Sequence, residues 1–361
     1  MKYRLARTLR GYQPIYCLDD ELILQRGRRL YRSDFELHAI APLCTLPRER
    51  AIARLRSRLI DRIFRLGIQS AAMLEAEHLL AARRGVIYRV SLATGEWAVD
   101  LAIPNGRRLL NLSMIDDSAT GRKALCFGEY STLHDGSAVN VWRRDAAPDA
   151  IWQISATFAA GEIDHVHNIC QVADGAIYIL TGDYGDGAGI WKSDSALDSF
   201  TPIARGAQNV RACWIWQAPH GALYFATDSQ FEPNHLRCIE NGTITDVAAI
   251  AGSSISFGAG NERAIFSTAV EPGAVSGNRI RDILDRRPGP GMMSNEAALY
   301  SFENGELITI CRAAKDIWPM RLAQFGTFQL PGGVMPPDRI YAFGVGLSGY
   351  DGRCLSFERA G

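Results

Sequence analysis

Ile190-Trp191-Lys192-Ser193-Asp194 is a short strand-like phrase that ends in an acid, where a strand would turn. Six other stretches read the same way, all but the one at Ile87 also ending in an acid: Leu30-Tyr31-Arg32-Ser33-Asp34, Ile87-Tyr88-Arg89-Val90-Ser91, Val141-Trp142-Arg143-Arg144-Asp145, Leu236-Arg237-Cys238-Ile239-Glu240, Leu299-Tyr300-Ser301-Phe302-Glu303 and Cys354-Leu355-Ser356-Phe357-Glu358. The starts lie 57, 54, 49, 46, 63 and 55 residues apart, the range of one four-stranded propeller blade with its loops. The expected fold is therefore all-β, a seven-bladed β-propeller over residues 1–361 as a single domain. A six-bladed ring with one unit as decoration is the alternative.

Runs of β-branched and aromatic residues bounded by Gly, Asp and Asn supply the other strands. The fourth unit, for example, reads His165–Val172, Ala176–Gly182, Gly189–Lys192 and Phe200–Ala204. The seventh has only Phe325–Leu330, Arg339–Val345 and Arg353–Phe357, while Lys2–Thr8 is an orphan strand. Pairing that orphan beside Arg353–Phe357 would complete the last blade and close the ring through the termini, leaving no open edge.

Two segments break the pattern. Residues 47–67 read as an inserted helix, with Ile52, Leu55, Leu59, Ile60, Ile63 and Phe64 at helical spacing and Gly67 as C-cap. Its other face carries Arg48, Arg50, Arg54, Arg56, Arg58, Arg62 and Arg65, a solvated face or, as a second reading, a contact with a membrane surface or a partner. Residues 271–296 form a Pro- and Gly-rich, lid-like loop with Arg279, Arg281, Arg286 and Arg287.

Composition narrows the partners. Lys plus Arg and Asp plus Glu stand at 39 each, which gives no electrostatic argument for nucleic acid. The eight cysteines are scattered, without a CxxC pair, and read as small buried hydrophobes in a reducing compartment. With no apolar h-region behind the N-terminus and no run of membrane-spanning length, the expected location is cytoplasmic, with a peripheral contact to the inner membrane through 47–66 as a second reading.

Topology selects the site. In an antiparallel meander the start of strand 1 and the end of strand 2 share one face, and unusual polar residues fall at those positions. His165 and His167 alternate on one strand, as metal ligands, an acid/base pair or hydrogen-bonded structural histidines. Asp183 and Asp228 close second strands and are candidate acids or nucleophiles. Glu129-Tyr130 offers a carboxylate and a phenol for nucleophilic work. Arg211, with Gln208 and Asn209, would clamp a substrate carboxylate, or Arg211 would bridge to Asp183 or Asp228. Glu271 opens the lid on the same face. A divalent metal held by His165, His167 and Asp183 is a further possibility.

Gly128-Glu129-Tyr130, His165-Val166-His167-Asn168-Ile169, Thr181-Gly182-Asp183, Gly206 to Arg211, and Thr227-Asp228-Ser229 with Asn234 resemble the sialidase-like propellers with BNR (Asp-box) repeats, of the kind found in bacterial extracellular-polysaccharide gene clusters. The nearest Asp box, Ser193 to Phe200, lacks the Gly and the Trp of the family pattern. Only Arg211 answers to the three arginines that a sialidase presents, so sialidase activity is not carried over. The resemblance implies a carbohydrate connection, with Asn234 among the substrate-binding positions.

Two function classes follow. One is a glycoside hydrolase or polysaccharide lyase acting on an acidic oligo- or polysaccharide, with His165 or His167 as base and Asp183 and Asp228 as acid or nucleophile. The other is a non-catalytic propeller that binds glycan or docks to membrane-associated biosynthetic enzymes through its basic helix.

Overall fold

The computed structural model describes residues 2–48, 57–75, 77–118, 120–131, 136–182, 185–260 and 262–360. It is an all-β protein of four- and five-stranded antiparallel sheets, two of which merge into one of eight strands, in a propeller-like succession with a few short helical turns. Every copy of the repeated phrase is the third strand of its meander, from Arg29–Ser33 in the first to Arg353–Arg359 in the seventh. The first residue of each copy, Leu30, Ile87, Val141, Ile190, Leu236, Leu299 and Cys354, is at 0% exposure.

A second regularity accompanies the phrase. Opposite its apolar–aromatic step the fourth strand carries one extra residue: Leu43, Asp100, Ser155, Ile203 and Ile310 in five sheets. Such bulges bend the strand and raise its local twist. The outer strands they shape are largely exposed, as Trp97–Ala102 and Phe200–Arg205 show.

The chain divides into two compact units. The first comprises Met1–Gly67, Ser229–Asn234 and Ala249–Gly361, with the first, sixth and seventh sheets. Here Tyr3–Arg10 pairs antiparallel with Arg353–Arg359 as the fourth strand of the last sheet, as the orphan strand required. Tyr3 is fully buried, and its hydroxyl accepts from Arg263 Nη1 at 2.8 Å. The sixth and seventh sheets join through Ala269↔Thr327 and Val270↔Gly326. Gly332–Gly333 adds a short parallel strand to Gln13–Cys17. A side chain at Gly333, where φ is +77°, would place its Cβ 2.1 Å from the Cys17 carbonyl.

The inserted helix is shorter than its periodicity suggests. Among the described residues it spans Arg58–Phe64, with Ser57 as N-cap accepting from Ile60 N at 3.2 Å. Residues 49–56 lie outside the described residues. The C-cap is Arg65 in the left-handed region, φ +50°, two residues before the expected Gly67. Its basic face is not wholly solvated. Arg62 is buried, donating to the Ala323 carbonyl at 2.7 Å and to Asp316, and Arg58 pairs with Asp351 at 3.1 Å. These ion pairs, not an apolar stripe alone, seat the helix on the seventh sheet. The 271–296 segment is not structureless either: Asn278 caps a helix over Arg279–Leu284.

The second unit, Ile68–Asp228 with His235–Ala248, holds the second to fifth sheets in chain order. Side-chain amides tie successive first strands together. Gln171 accepts from Asp116 N at 2.6 Å and donates to Asp116 O and Gly175 O. Gln217, one repeat later, accepts from Asp174 N at 2.8 Å and donates to the Asp174 carboxylate and to Gly221 O. Among the described residues no helix is long and apolar enough to cross a membrane. The eight cysteines are free, and burial pushes the thiols of Cys17 and Cys170 up to about 12, which leaves those two unreactive.

The turn that follows Ser193 closes without glycine. Leu197 takes the left-handed position, φ +60°, and Leu37 does so in the matching turn of the first sheet, φ +61°. Both are buried. Relief of left-handed strain is worth roughly 1–2 kcal/mol, whereas deleting a buried leucine side chain costs about 2–5 kcal/mol. Burial wins, so Leu197→Gly is expected to lower stability in a urea titration; a gain would show that strain dominates. Removing residues 1–10 is expected to destabilise by at least the ~3 kcal/mol of one buried aromatic, read as a clear drop in melting temperature. An unchanged melt would mean that the terminal pairing contributes nothing.

Candidate functional site

His165, Val166 and His167 open the strand His165–Gln171 of the fourth sheet. The register slips there: Val166 faces Thr181 and Asn168 faces Leu180, so His167 is the extra residue of a bulge. A bulge re-aims side chains. The two rings lie with centroids 4.9 Å apart, and both are buried. His167 sits over Gly182, where any Cβ would come within 2.3 Å of the ring. Its Nδ1 lies 2.9 Å from the Ala212 carbonyl, which can only accept, so Nδ1 carries the proton. His165 packs on Tyr130, centroid to centroid 4.4 Å.

The fifth sheet repeats this construction 46 residues later. Arg211 stands where His165 stood, Cys213 for His167, and Asp228 for Gly182. The register again slips, between Ala212 and Ile215. The Asp228 amide donates to Arg211 O at 2.9 Å, which sets the two side chains together. Arg211 Nη2 lies 3.2 Å from Asp228 Oδ2, and Cys213 Sγ is 3.3 Å from the same oxygen. Arg211 and Asp228 are 6% and 2% exposed, a buried pair rather than an open clamp. The bridge from Arg211 to Asp228 that the sequence allowed is present.

One donor of ligand type went unread in the sequence. The ligand atoms of His167, Cys213 and Asp228 lie within 4.8 Å of one another, close enough to hold a divalent ion. Cys213 was legible only through the 46-residue alignment of the two units, which gives it the position of His167. Of the metal set expected from the sequence, His167 is in this group, His165 is not, and Asp183 lies outside the described residues.

Other candidates take separate partners. The Glu129 carboxylate accepts from Trp142 Nε1 at 2.9 Å and Asn140 Nδ2 at 3.0 Å, within its own sheet. Tyr130 pairs its backbone with Arg108 and packs its ring at a tilt against His165. Asn209 is exposed, with its carbonyl accepting from Arg237, and Gln208 opens the same short turn, Gln208–Val210. Asn234 and Glu271 belong to the first unit. There the Asn234 amide is spent on the backbone of Ser229 and Gly291, and Glu271 accepts from Ser253 Oγ at 2.8 Å.

No protein-family model and no curated protein matches the chain. Solved structures do, at low identity. The CNH domain of AfRom2 is similar at 6% identity, 99% coverage of both chains and a TM-score of 0.55. The Dos1 propeller is similar at 8% identity, with 94% of this chain and 76% of that one covered and a TM-score of 0.53. The extracellular domain of a hybrid two-component system from B. thetaiotaomicron is similar at 12% identity and a TM-score of 0.54. This chain is covered over 98% there, and spans 40% of that chain's length. Such likeness shows the general β-propeller fold and not the sialidase-like family in particular. It also overturns the expected cytoplasmic location: an extracellular domain shares the fold at nearly full coverage, so the fold is no mark of the cytoplasm.

Two substitutions separate crowding from charge. Gly182→Ala drives a methyl into the His167 ring and is expected to cost about 1–3 kcal/mol. Asp228→Ala leaves Arg211 buried without its carboxylate, a loss on the order of 3–5 kcal/mol. Paired thermal and urea melts check both. Near-native stability of Asp228→Ala would mean that Arg211 reaches water or another anion.

Proposed function

We propose that the chain is a seven-bladed β-propeller closed through its terminal strands, and that it works as a non-catalytic binding or scaffold module. The polysaccharide connection comes from the resemblance to sialidase-like propellers, with an acidic glycan or a polysaccharide-synthesising enzyme as partner. The buried Arg211–Asp228 ion pair carries this reading. A glycosidase needs two opposed carboxyl groups free to exchange protons, and a lyase needs a cation free to neutralise a uronate. Here Asp228 is engaged by Arg211 and Cys213, and Glu129 by Trp142 and Asn140.

The test is turnover against binding. Acidic polysaccharides incubated with the protein are expected to yield neither new reducing ends nor unsaturated uronate absorbance, while Arg211→Ala melts far below the parent. Turnover that Arg211→Ala abolishes at an unchanged melting temperature would overturn the scaffold reading.

A second reading rests on one observation. Asp228 Oδ1 has no hydrogen-bond partner among the described residues, and it belongs to the His167–Cys213–Asp228 set. Imidazole, thiolate and carboxylate together suit zinc. A bound ion would add a charge that Asp228 now shares with Arg211 alone. Zinc is expected to raise the melting temperature of chelator-treated protein, and Cys213→Ser to remove that rise; no shift in either protein leaves the cluster a hydrogen-bonded plug.

A further inference from the structure

Four large apolar side chains of the first unit face water together. Ile280 and Leu284 lie four residues apart on the helix Arg279–Leu284, hence on one of its faces, and are 73% and 56% exposed. The helix packs beside Met320–Ala323, and just past it Arg286 Nη1 donates to the Ile317 carbonyl at 3.4 Å. That contact brings Ile317 and Trp318, 74% and 42% exposed, to the same patch.

Its charge is one-sided. Arg279, Arg281 and Arg286 are exposed and make no ion pair among the described residues. The nearby acids are already engaged: Asp282 by Ser276, Asp285 by Arg287, and Asp316 by Arg62 and Lys315. The Ser276 hydrogen bonds hold Asp282 below the usual carboxylate range, so it stays ionised and occupied.

We propose that this patch docks the protein on an anionic lipid bilayer surface, with Ile280, Leu284, Ile317 and Trp318 entering the headgroup–acyl boundary and the three arginines meeting lipid phosphates and carboxylates. Single exposed hydrophobes need no explanation, but a contiguous group rimmed by uncompensated cations does. An acidic polysaccharide answers the arginines and leaves the aliphatic side chains in water. A bilayer answers both, accepts a shallow apolar face without a matching groove, and favours an indole at its boundary. The proposal goes beyond the scaffold reading and does not depend on the buried cluster of the second unit.

Sedimentation of the full chain with vesicles tests it. Binding is expected to vesicles rich in phosphatidylserine, with blue-shifted Trp318 emission that Trp318→Phe removes, and little to phosphatidylcholine alone. Added salt weakens it, the field being screened within about 10 Å at 0.1 M. Neutralising Arg281 and Arg286 together as Gln is expected to lower partitioning roughly 30-fold, about fivefold for each arginine. Ile280→Ser with Leu284→Ser lowers it at least about tenfold, and both double variants melt as the parent does. Three results would overturn the proposal. They are no binding to either vesicle, an Arg-dependent binding to acidic polysaccharide that the Ser variant keeps in full, and a dimer on gel filtration that the Ser variant converts to monomer.

Discussion

Burial of the first residue of the repeated phrase, in the third strand of each sheet, is the constraint on which the rest of the structure depends. Leu30, Ile87, Val141, Ile190, Leu236, Leu299 and Cys354 are all fully out of water. A four-stranded meander has two faces and cannot cover both by itself, so each sheet needs a neighbour against its apolar side. Within each unit the sheets accordingly follow one another and share core clusters, as Val141, Ile169 and Trp191 do across the third and fourth. The bulge opposite the phrase adds the twist that lets one sheet lie on the next while the fourth strand turns to solvent.

The same packing encloses polar groups at the starts of the first strands. Bulges at Val166/Asn168 and Ala212/Ile215 turn His167 and Cys213 from regular strand positions into a crowded interior. Water is excluded there, and each charge must find its partner within the fold. Arg211 takes Asp228, and in the neighbouring sheets Arg144 takes Asp100 at 2.7 Å with Trp152 donating to the same carboxylate. Pairs of this kind add little net stability, since desolvation offsets much of their attraction, but breaking one is costly. They demand one register, because a slip by one residue would bury each charge apart from its partner.

Charge is treated differently at the surface of the first unit. Arg62 and Arg58 are drawn inward to Asp316 and Asp351 and hold the short helix in place. Arg279 and Arg281, on a helix of similar composition, and Arg286 just past it stay outside. What separates them is the carboxylates of the seventh sheet within reach of the first helix.

The repeated phrase by itself determined the all-β, multi-sheet architecture, because a fully buried third strand must be apolar at fixed positions and its turn must follow at once. It also determined the pairing of the N-terminal strand, since the seventh unit was one strand short. Helix length was not legible over residues 57–67: periodicity registers apolar spacing, whereas Ser57 and the left-handed Arg65 end the helix through local hydrogen bonds. The site was legible as a set of positions, His165, His167, Arg211 and Asp228 among them, since strand alternation fixes who shares an end. Their partners were not. That Arg211 lies against Asp228, that Glu129 meets Trp142, and that Cys213 comes beside His167 depend on bulges and burial. Those are set by contacts between sheets, which one-dimensional spacing does not record, and so the tertiary structure alone decided them.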